Sequence, residues 1–402
     1  MRDVSVGSVA ISPPRTVSAK QVGIAGVILG ALAWVITIPP FEVRGLAPSI
    51  VLAAAALLAG TWSVAGGERK LGIEAILVAA VAVGGAVASA NSSTTTLESV
   101  FTWSALVAAT LRYATPLVFA ALGGVISESS GVINIGLEGM MLMGCFWGIY
   151  GADLLGSWVW GIFAAMVAGG LLALLHAFFS IHLRANQIVS GTGINFLALG
   201  ITGYFLEYHY GPNGTPLSIS QVPNVHLPIQ SVGFFGAAFG SANLMTWIGL
   251  ALVPALTFFL FRTRGGLRLR SVGEKPRAAD TVGLPVLRIR YAAVVVSGMF
   301  AALGGAYLSV GFVGSFSNNM TNGRGFIALA AMIFGKWKPW GAMWACLLFG
   351  FGNAMSDRVS GVNQTLGTLF EALPYVLTLV AVAGLVGRSR PPAADGIPYV
   401  RE

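Results

Sequence analysis

Residues 112–127 read RYATPLVFAALGGVIS, and residues 128–144 continue ESSGVINIGLEGMMLMG. The first stretch is an apolar run opened by Tyr113-Ala114 and carrying Ala120-Ala121-Leu122-Gly123-Gly124. The second is a glycine-containing break followed by a short apolar helix expected to end at Gly144. The same order returns later in the chain. Tyr291-Ala292 opens an apolar run carrying Ala301-Ala302-Leu303-Gly304-Gly305, and a short apolar helix over Ala331–Gly335 follows a second break.

Working outward, the whole chain reads as membrane-embedded. Of 402 residues, 55% are hydrophobic and only 9% charged, and mean hydropathy is +0.79. Soluble domains carry about 25% charged residues, so this chain has too little charge to cover a surface in water. The 53 glycines suit close helix packing in lipid. Runs near the roughly 20 apolar residues a spanning helix needs are 22–39, 46–66, 71–90, 112–127, 134–152, 157–181, 188–206, 243–262, 289–312, 325–335, 340–357 and 371–387. The run 325–335 is too short to cross alone, so the expectation is an all-α polytopic protein with ten to twelve transmembrane helices. No cleavable signal peptide is expected, because the first apolar run begins near Val22 and more spans follow at once.

Basic residues set the orientation. The segment 262–290 holds Arg262, Arg264, Arg268, Arg270, Lys275, Arg277, Arg288 and Arg290 against Glu274 and Asp280, which places it in the cytoplasm. Arg69-Lys70, Arg184 and Arg388–Arg390 then fall inside, while 91–100 and 208–240, which lack Lys and Arg, fall outside. Both termini are expected in the cytoplasm. The two Ala-Ala-Leu-Gly-Gly units thereby run in opposite directions, each with an interrupted helix. Such inverted repeats are the pattern of alternating-access transporters.

Other chemistries find little footing. The net charge of +8 comes from loop clusters and not from an amphipathic basic surface, so no nucleic-acid partner is expected. Cys145 and Cys346 stand alone in apolar runs and read as buried hydrophobes. His176, His182, His209 and His226 lack metal-ligand spacing with acids and read as interfacial or loop residues, so no metal and no cofactor are expected. No paired carboxylate or Ser/His/Asp arrangement marks an enzyme. The one Gly-Lys pair, Gly335-Lys336, is followed by Trp337 and has no upstream P-loop glycine, so the chain cannot itself wrap and hydrolyse ATP.

Several stretches resemble one family closely. They are Pro116 through Met141, Arg184–Asn195, Gly273–Gly283, and Gly314–Trp337 with its Gly323-Arg324-Gly325-Phe326 core. In order and spacing they resemble the nucleoside and simple-sugar permeases of bacterial ATP-binding-cassette importers, over roughly residues 105–387. The resemblance implies a permease subunit in the cytoplasmic (inner) membrane that moves a nucleoside inward. It would work with separate ATPase subunits, a second permease (homo- or heterodimer), an extracytoplasmic binding protein or lipoprotein, and membrane lipid. A ribose-like sugar is the alternative cargo. An ion-coupled secondary transporter is the alternative of another class; such a protein would not need the 273–283 segment. On this reading 1–100 is an added segment with three extra spans, and 101–390 is the permease core. Within the core, 112–262 is the first repeat, 263–288 the cytoplasmic coupling loop, and 289–387 the second repeat; 391–402 is a cytoplasmic tail. Two departures are the added spans and Ser129, where relatives would be expected to carry a basic residue.

Two groups of residues stand out as sites. In 273–283, Pro276 suits the first turn of a short helix continued by Arg277, Ala278, Ala279 and Asp280. Together with Glu274 these residues would dock on the ATPase. The second group is a substrate pathway built of Asn134, Glu138, Asn186, Ser190, Asn195 and Phe326. A carboxylate within a span is costly and points to a cavity, partner or site. Asn134 and Glu138 could present acceptors to ribose hydroxyls or base N–H groups, and Glu138 could equally stabilise its own helix start. Asn186, Ser190 and Asn195 make a polar and small stripe on one span, and Phe326 could stack on a base.

Overall fold

The computed structural model describes residues 18–38, 41, 43, 46–90, 102–216, 218–361, 364–372, 375 and 390–400. The polar stretch 91–100 and nearly all of the expected span 371–387 lie outside the described residues. Two compact units meet in sequence between Thr102 and Trp103.

The first unit is a three-helix bundle of α1 (Ala19–Val35), α2 (Leu46–Ala65) and α3 (Arg69–Ala90). Ser18 and Gln21 form a capping box that starts α1. The buried side chains are nearly all small: Gly23, Gly26, Gly30 and Ala33 on α1, and Ser49, Ala53, Ala56, Gly60 and Ser63 on α2. Steps of three and four put each set on one helix face. A Cβ on Gly60 would lie 2.8 Å from the Gly72 carbonyl oxygen, so backbones touch where side chains are missing. Ile28, Leu58, Trp62 and Leu77 point outward. Lipid gives apolar side chains no reason to turn inward, and small-residue contact holds such helices together instead.

The second unit begins with α4 (Trp103–Ser129), α5 (Leu137–Leu155), α6 (Trp158–Ala177) and α7 (Gln187–Tyr210). A π-helical turn, Phe178–His182, continues α6. A two-stranded antiparallel ribbon, β1 (Asn224–His226) with β2 (Ser241–Asn243), flanks α8 (Gly233–Phe239). Then come α9 (Leu244–Arg262), α10 (Arg264–Glu274), α11 (Pro276–Thr281) and α12 (Val286–Ala306), the last extended by a π-helical segment Tyr307–Val313. The described part closes with α13 (Arg324–Phe334), α14 (Pro339–Ser360), α15 (Gln364–Glu371) and the segment 390–400.

Among the described residues, seven helices are long and apolar enough to cross a membrane. The sequence count of ten to twelve also included α1, α5, α13 and α14. α1 and α13 are short, α5 carries Glu138 and Asp153, and α14 carries Asn353, Asp357 and Arg358.

α12 is the axis of this unit, packed against α4, α5 and α6. Backbones nearly touch along it. A Cβ on Gly305 would lie 1.9 Å from the Met141 carbonyl oxygen, and one on Gly144 would lie 2.2 Å from that of Ala302. Gly144 therefore does not end a short helix as expected, since α5 runs on to Leu155 and stops at Gly156 in a left-handed conformation. Gly144 is a crossing point. The two Ala-Ala-Leu-Gly-Gly helices also meet each other, Gly304 beside Pro116 and Gly123 beside Ser297. Advancing along α4 means retreating along α12, so the two are antiparallel. Ser129 and Val286 thus share one end of the bundle with the arginine-rich 262–290 segment, the basic end. Trp103, Val313 and the ribbon lie toward the far end.

Candidate functional site

The non-helical stretch 130–136 between α4 and α5 must satisfy its backbone inside the bundle. Side chains from α6 and α7 do this. The Ile133 N–H donates to Gln187 Oε1 (2.7 Å), and the Ile133 carbonyl accepts from His176 Nε2 (3.1 Å). A carbonyl only accepts, so His176 carries its proton on Nε2, and Nδ1 accepts from Ser190 Oγ at 3.0 Å. His176 is fully buried and is not the interfacial residue the sequence indicated, because α6 continues past it into the π-helical turn. Asn195 donates from Nδ2 to the Ile135 carbonyl (3.1 Å) and accepts the Gly139 N–H at Oδ1 (2.8 Å). Asn134 Nδ2 donates to Ser297 Oγ at 3.0 Å. Asn186 caps α7, accepting from Ile188 and Val189 N–H groups.

Glu138 stands at the junction of two helix starts. It lies in the first turn of α5. Its carboxylate also accepts from Thr321 Oγ1 (2.6 Å), the Gly323 N–H (2.8 Å) and the Gly325 N–H (2.6 Å), capping α13 from outside. The structure thus brings Asn134, Glu138, Ser190 and Asn195 around one break, while Asn186 caps α7 from an exposed position. Phe326 stands apart from that network and is exposed on α13. Gln187, His176, Ser297 and Thr321 complete the network and were not counted as site residues from sequence: His176 and Ser297 are lone polar residues within apolar runs, and Gln187 and Thr321 stand beside other polar residues that do not mark them out.

At the basic end, α11 starts with Pro276 at its first turn, and Gly283 follows it with φ +81°. Arg277 and Ala278 are exposed, whereas Ala279 is buried with Val272, Val286 and Tyr399. The segment 391–400 is stitched to this end. Tyr399 OH donates to Asp280 Oδ2 (2.8 Å), the Ala394 N–H donates to the Gly273 carbonyl (2.8 Å), and Arg290 Nη1 donates to the Ile397 carbonyl (3.1 Å). Arg290 Nε also donates to the Ser130 carbonyl (3.1 Å) at the start of the break. Burial pushes the Asp395 carboxyl up to about 6, with Glu128 and Arg290 beside it pulling the other way.

The far end holds a cavity of about 340 Å³ lined by polar as well as apolar groups. Arg112 from α4, Gln221 from the chain leading into β1, Asn224 from β1, Thr246 from α9, and Tyr307 and Phe312 from the π-helical segment face it. The Tyr307 and Phe312 rings are parallel, with centroids 6.4 Å apart, and the Arg112 guanidinium stands 5.4 Å above Phe312. The Tyr307 hydroxyl lies beside Thr115 and Thr246, and Thr115 Oγ1 donates to Thr246 Oγ1 at 3.1 Å. Asn243 fixes the wall, donating to the Val222 and Gly311 carbonyls at 3.1 and 2.9 Å and accepting the Met245 N–H. Two larger grooves, of about 510 and 530 Å³, are lined almost wholly by apolar side chains, a lining that lipid tails satisfy. Arg112 escaped notice in the sequence because it stands at the edge of the apolar run 112–127. In the structure α4 begins at Trp103, which puts Arg112 well inside the helix.

A sequence profile described as the branched-chain amino acid transport system / permease component matches residues 106–382. The chain belongs to this family. Among relatives, the chain is 41% identical over 318 residues to the guanosine ABC transporter permease protein NupQ of Bacillus subtilis (strain 168), covering 74% of this chain and 97% of that one. It is 38% identical over 309 residues to the nucleoside ABC transporter permease protein NupC of Lactococcus lactis subsp. cremoris, 74% of this chain and 96% of the other. It is 37% identical over 266 residues to the putative glucose ABC transporter permease protein TsgC13 of Haloferax volcanii, 65% of this chain and 79% of that one. No solved structure matches the chain. In this permease the matched segment takes in the break, the basic end up to α12 and the cavity. The three helices of the first unit precede it.

Proposed function

We propose that the chain is the membrane-spanning subunit of an ATP-binding-cassette importer that carries nucleosides into the cell. The observation that carries this reading is the near full-length similarity to the guanosine and nucleoside permeases, 97% and 96% of their lengths. The basic end faces the cytoplasm on the positive-inside rule, so the far-end cavity opens outward, where a substrate-binding protein would deliver its cargo. α10 and α11 are the ATPase-docking element, with Glu274, Pro276, Arg277, Ala278 and Asp280 at or near its surface and Ala279 beneath it. A second permease, a copy or a relative, completes the pore in the bacterial cytoplasmic membrane. Both termini of this chain are cytoplasmic.

The antiparallel contact of the two Ala-Ala-Leu-Gly-Gly helices supports an inverted repeat, 112–262 against 289–387, with α4 and α12 at its centre and ten to twelve spans in all. Asn134, Glu138, Asn186, Ser190 and Asn195 then serve the pathway by holding its broken helix in shape. Phe326 remains open to a neighbour. A sugar cargo is the second reading, favoured by the similarity to a putative glucose permease.

Initial uptake of labelled nucleoside in cells lacking the gene and in complemented cells, with excess unlabelled ribose or glucose, separates the two cargoes. Uptake lost on deletion, restored on complementation and indifferent to sugar is expected. Uptake that sugar abolishes sinks the nucleoside reading.

A further inference from the structure

The charged side chains within the core helices mostly have partners. Glu138 accepts three hydrogen bonds. Arg324 donates to the Met320 and Thr321 carbonyls. Arg290 donates to the Ser130 and Ile397 carbonyls. Arg112 differs. Its guanidinium lies over the Phe312 ring, and no described residue accepts a hydrogen bond from it. The amides of Gln221 and Asn224, which share its cavity, also lack hydrogen-bond partners among the described residues. An ionised residue within a spanning helix is expensive and marks a functional position.

Given a nucleoside cargo, as read above, we propose that this cavity is where the permease itself reads the base, and that Arg112 selects 6-oxopurine nucleosides. A guanidinium lying over a ring keeps its five N–H donors in its own plane, free to meet an edge. Guanine and hypoxanthine offer two acceptors, O6 and N7, side by side on one edge, and a bidentate arginine fits them. Adenine offers N7 beside an amino donor, which opposes a second N–H. The Tyr307 and Phe312 rings give a flat apolar face for the base, and the free amides suit ribose hydroxyls. The volume of about 340 Å³ lies at the small end of ligand sites. Arg112 is the one cation among the lining residues, which suits a neutral ligand better than a phosphate.

The backbone around the cavity has the same character. Phe312 and Tyr307 stand on a π-helical segment, a rare conformation found frequently at functional sites. Asn243 holds that segment by the Gly311 carbonyl.

The test is uptake of labelled inosine and of labelled adenosine by the complete importer in cells, at concentrations below saturation, with permease level measured by immunoblot of membranes. Arg112→Gln should lower the inosine-to-adenosine ratio by about tenfold, the worth of a bidentate base contact. Should Arg112→Gln fail to reach the membrane, Arg112→Lys keeps the charge, loses the fork, and should lower the same ratio. Phe312→Leu should slow both nucleosides alike. A ratio unchanged by both Arg112 variants overturns the proposal, as does inosine 5′-monophosphate outcompeting inosine in the wild type, which would mark an anion site. Wild-type cells that take up neither nucleoside defeat the cargo reading itself. Nucleoside uptake with an unchanged ratio defeats only the role of Arg112.

Discussion

Glu138, at the break between α4 and α5, takes hydrogen bonds from Thr321, Gly323 and Gly325, while Arg112, in the far-end cavity, gives none to a described residue. Both are charged residues inside apolar helices, and charge alone would rank them equally as site residues. Their surroundings separate them. The break is a place where the chain leaves helical geometry and every freed backbone group needs a partner, so most of its polar side-chain atoms are consumed within the molecule, Asn134 Oδ1 and Gln187 Nε2 excepted. The cavity is bounded by helices and a ribbon that largely satisfy themselves, so its polar heads are left for something else. At the break Glu138 is saturated and holds the structure, whereas in the cavity Arg112, an exposed residue, has no acceptor among the described residues.

The largest expected effect tests the saturated side. Glu138→Ala leaves the buried Gly325 N–H and Thr321 hydroxyl and the part-buried Gly323 N–H without an acceptor, each buried group costing about 1–3 kcal/mol. It should abolish uptake by removing folded permease from the membrane, seen by immunoblot and by melting of the detergent-extracted protein. Normal level and melting with lost uptake would put Glu138 in the pathway after all and break the contrast.

Second comes a pair at the basic end. Ala279 is buried against Val272, Val286 and Tyr399, so Ala279→Glu should bury a carboxylate and disrupt that end, lowering the amount of permease. Ala278 is exposed on the same helix. Ala278→Glu should leave the level intact and cut uptake per ATP hydrolysed several-fold in the reconstituted importer. Full coupling in Ala278→Glu would remove α11 from the docking surface.

Third, Asn243→Ala removes two hydrogen bonds to the cavity wall, worth about 1 kcal/mol each. Uptake should fall by up to about thirtyfold with unchanged permease level; unaltered uptake would detach the wall's geometry from transport.

The smallest effect concerns the segment 391–400. Tyr399→Phe loses the bond to Asp280, about 1 kcal/mol, and should speed amide exchange in this segment with uptake little changed. Docking should also respond to pH. Asp395 holds its proton more tightly when docked, near 6 against an ordinary 3.8. The docked form is therefore favoured in acid and loses that stability as pH rises through about 6. Glu128 and Arg290 are the titratable or charged groups facing it. Greater protection at pH 5 than at pH 7.5, after correction for base-catalysed intrinsic exchange, is the expected sign, and the reverse would show Asp395 docking as a carboxylate.

Much of this permease was legible beforehand. Low charge, run lengths and basic loops require spanning helices, because lipid admits little else. Pro276 and Gly283 bracket a short helix on local backbone rules alone. The polar residues at the break were also visible, since Asn and Glu in apolar runs stand out.

What each polar residue does was decided only by the fold. Asn195 reaches Ile135 and Gly139, Glu138 reaches across to α13, and Arg112 meets Phe312 from the other half of the chain. Hydrogen-bond satisfaction depends on neighbours far apart in sequence, whereas hydropathy and turn geometry are local. The sequence by itself therefore determined a polytopic helical permease with its helix starts and most of its breaks. The tertiary structure alone decided which polar groups are spent on the frame and which stand without a partner in the far-end cavity.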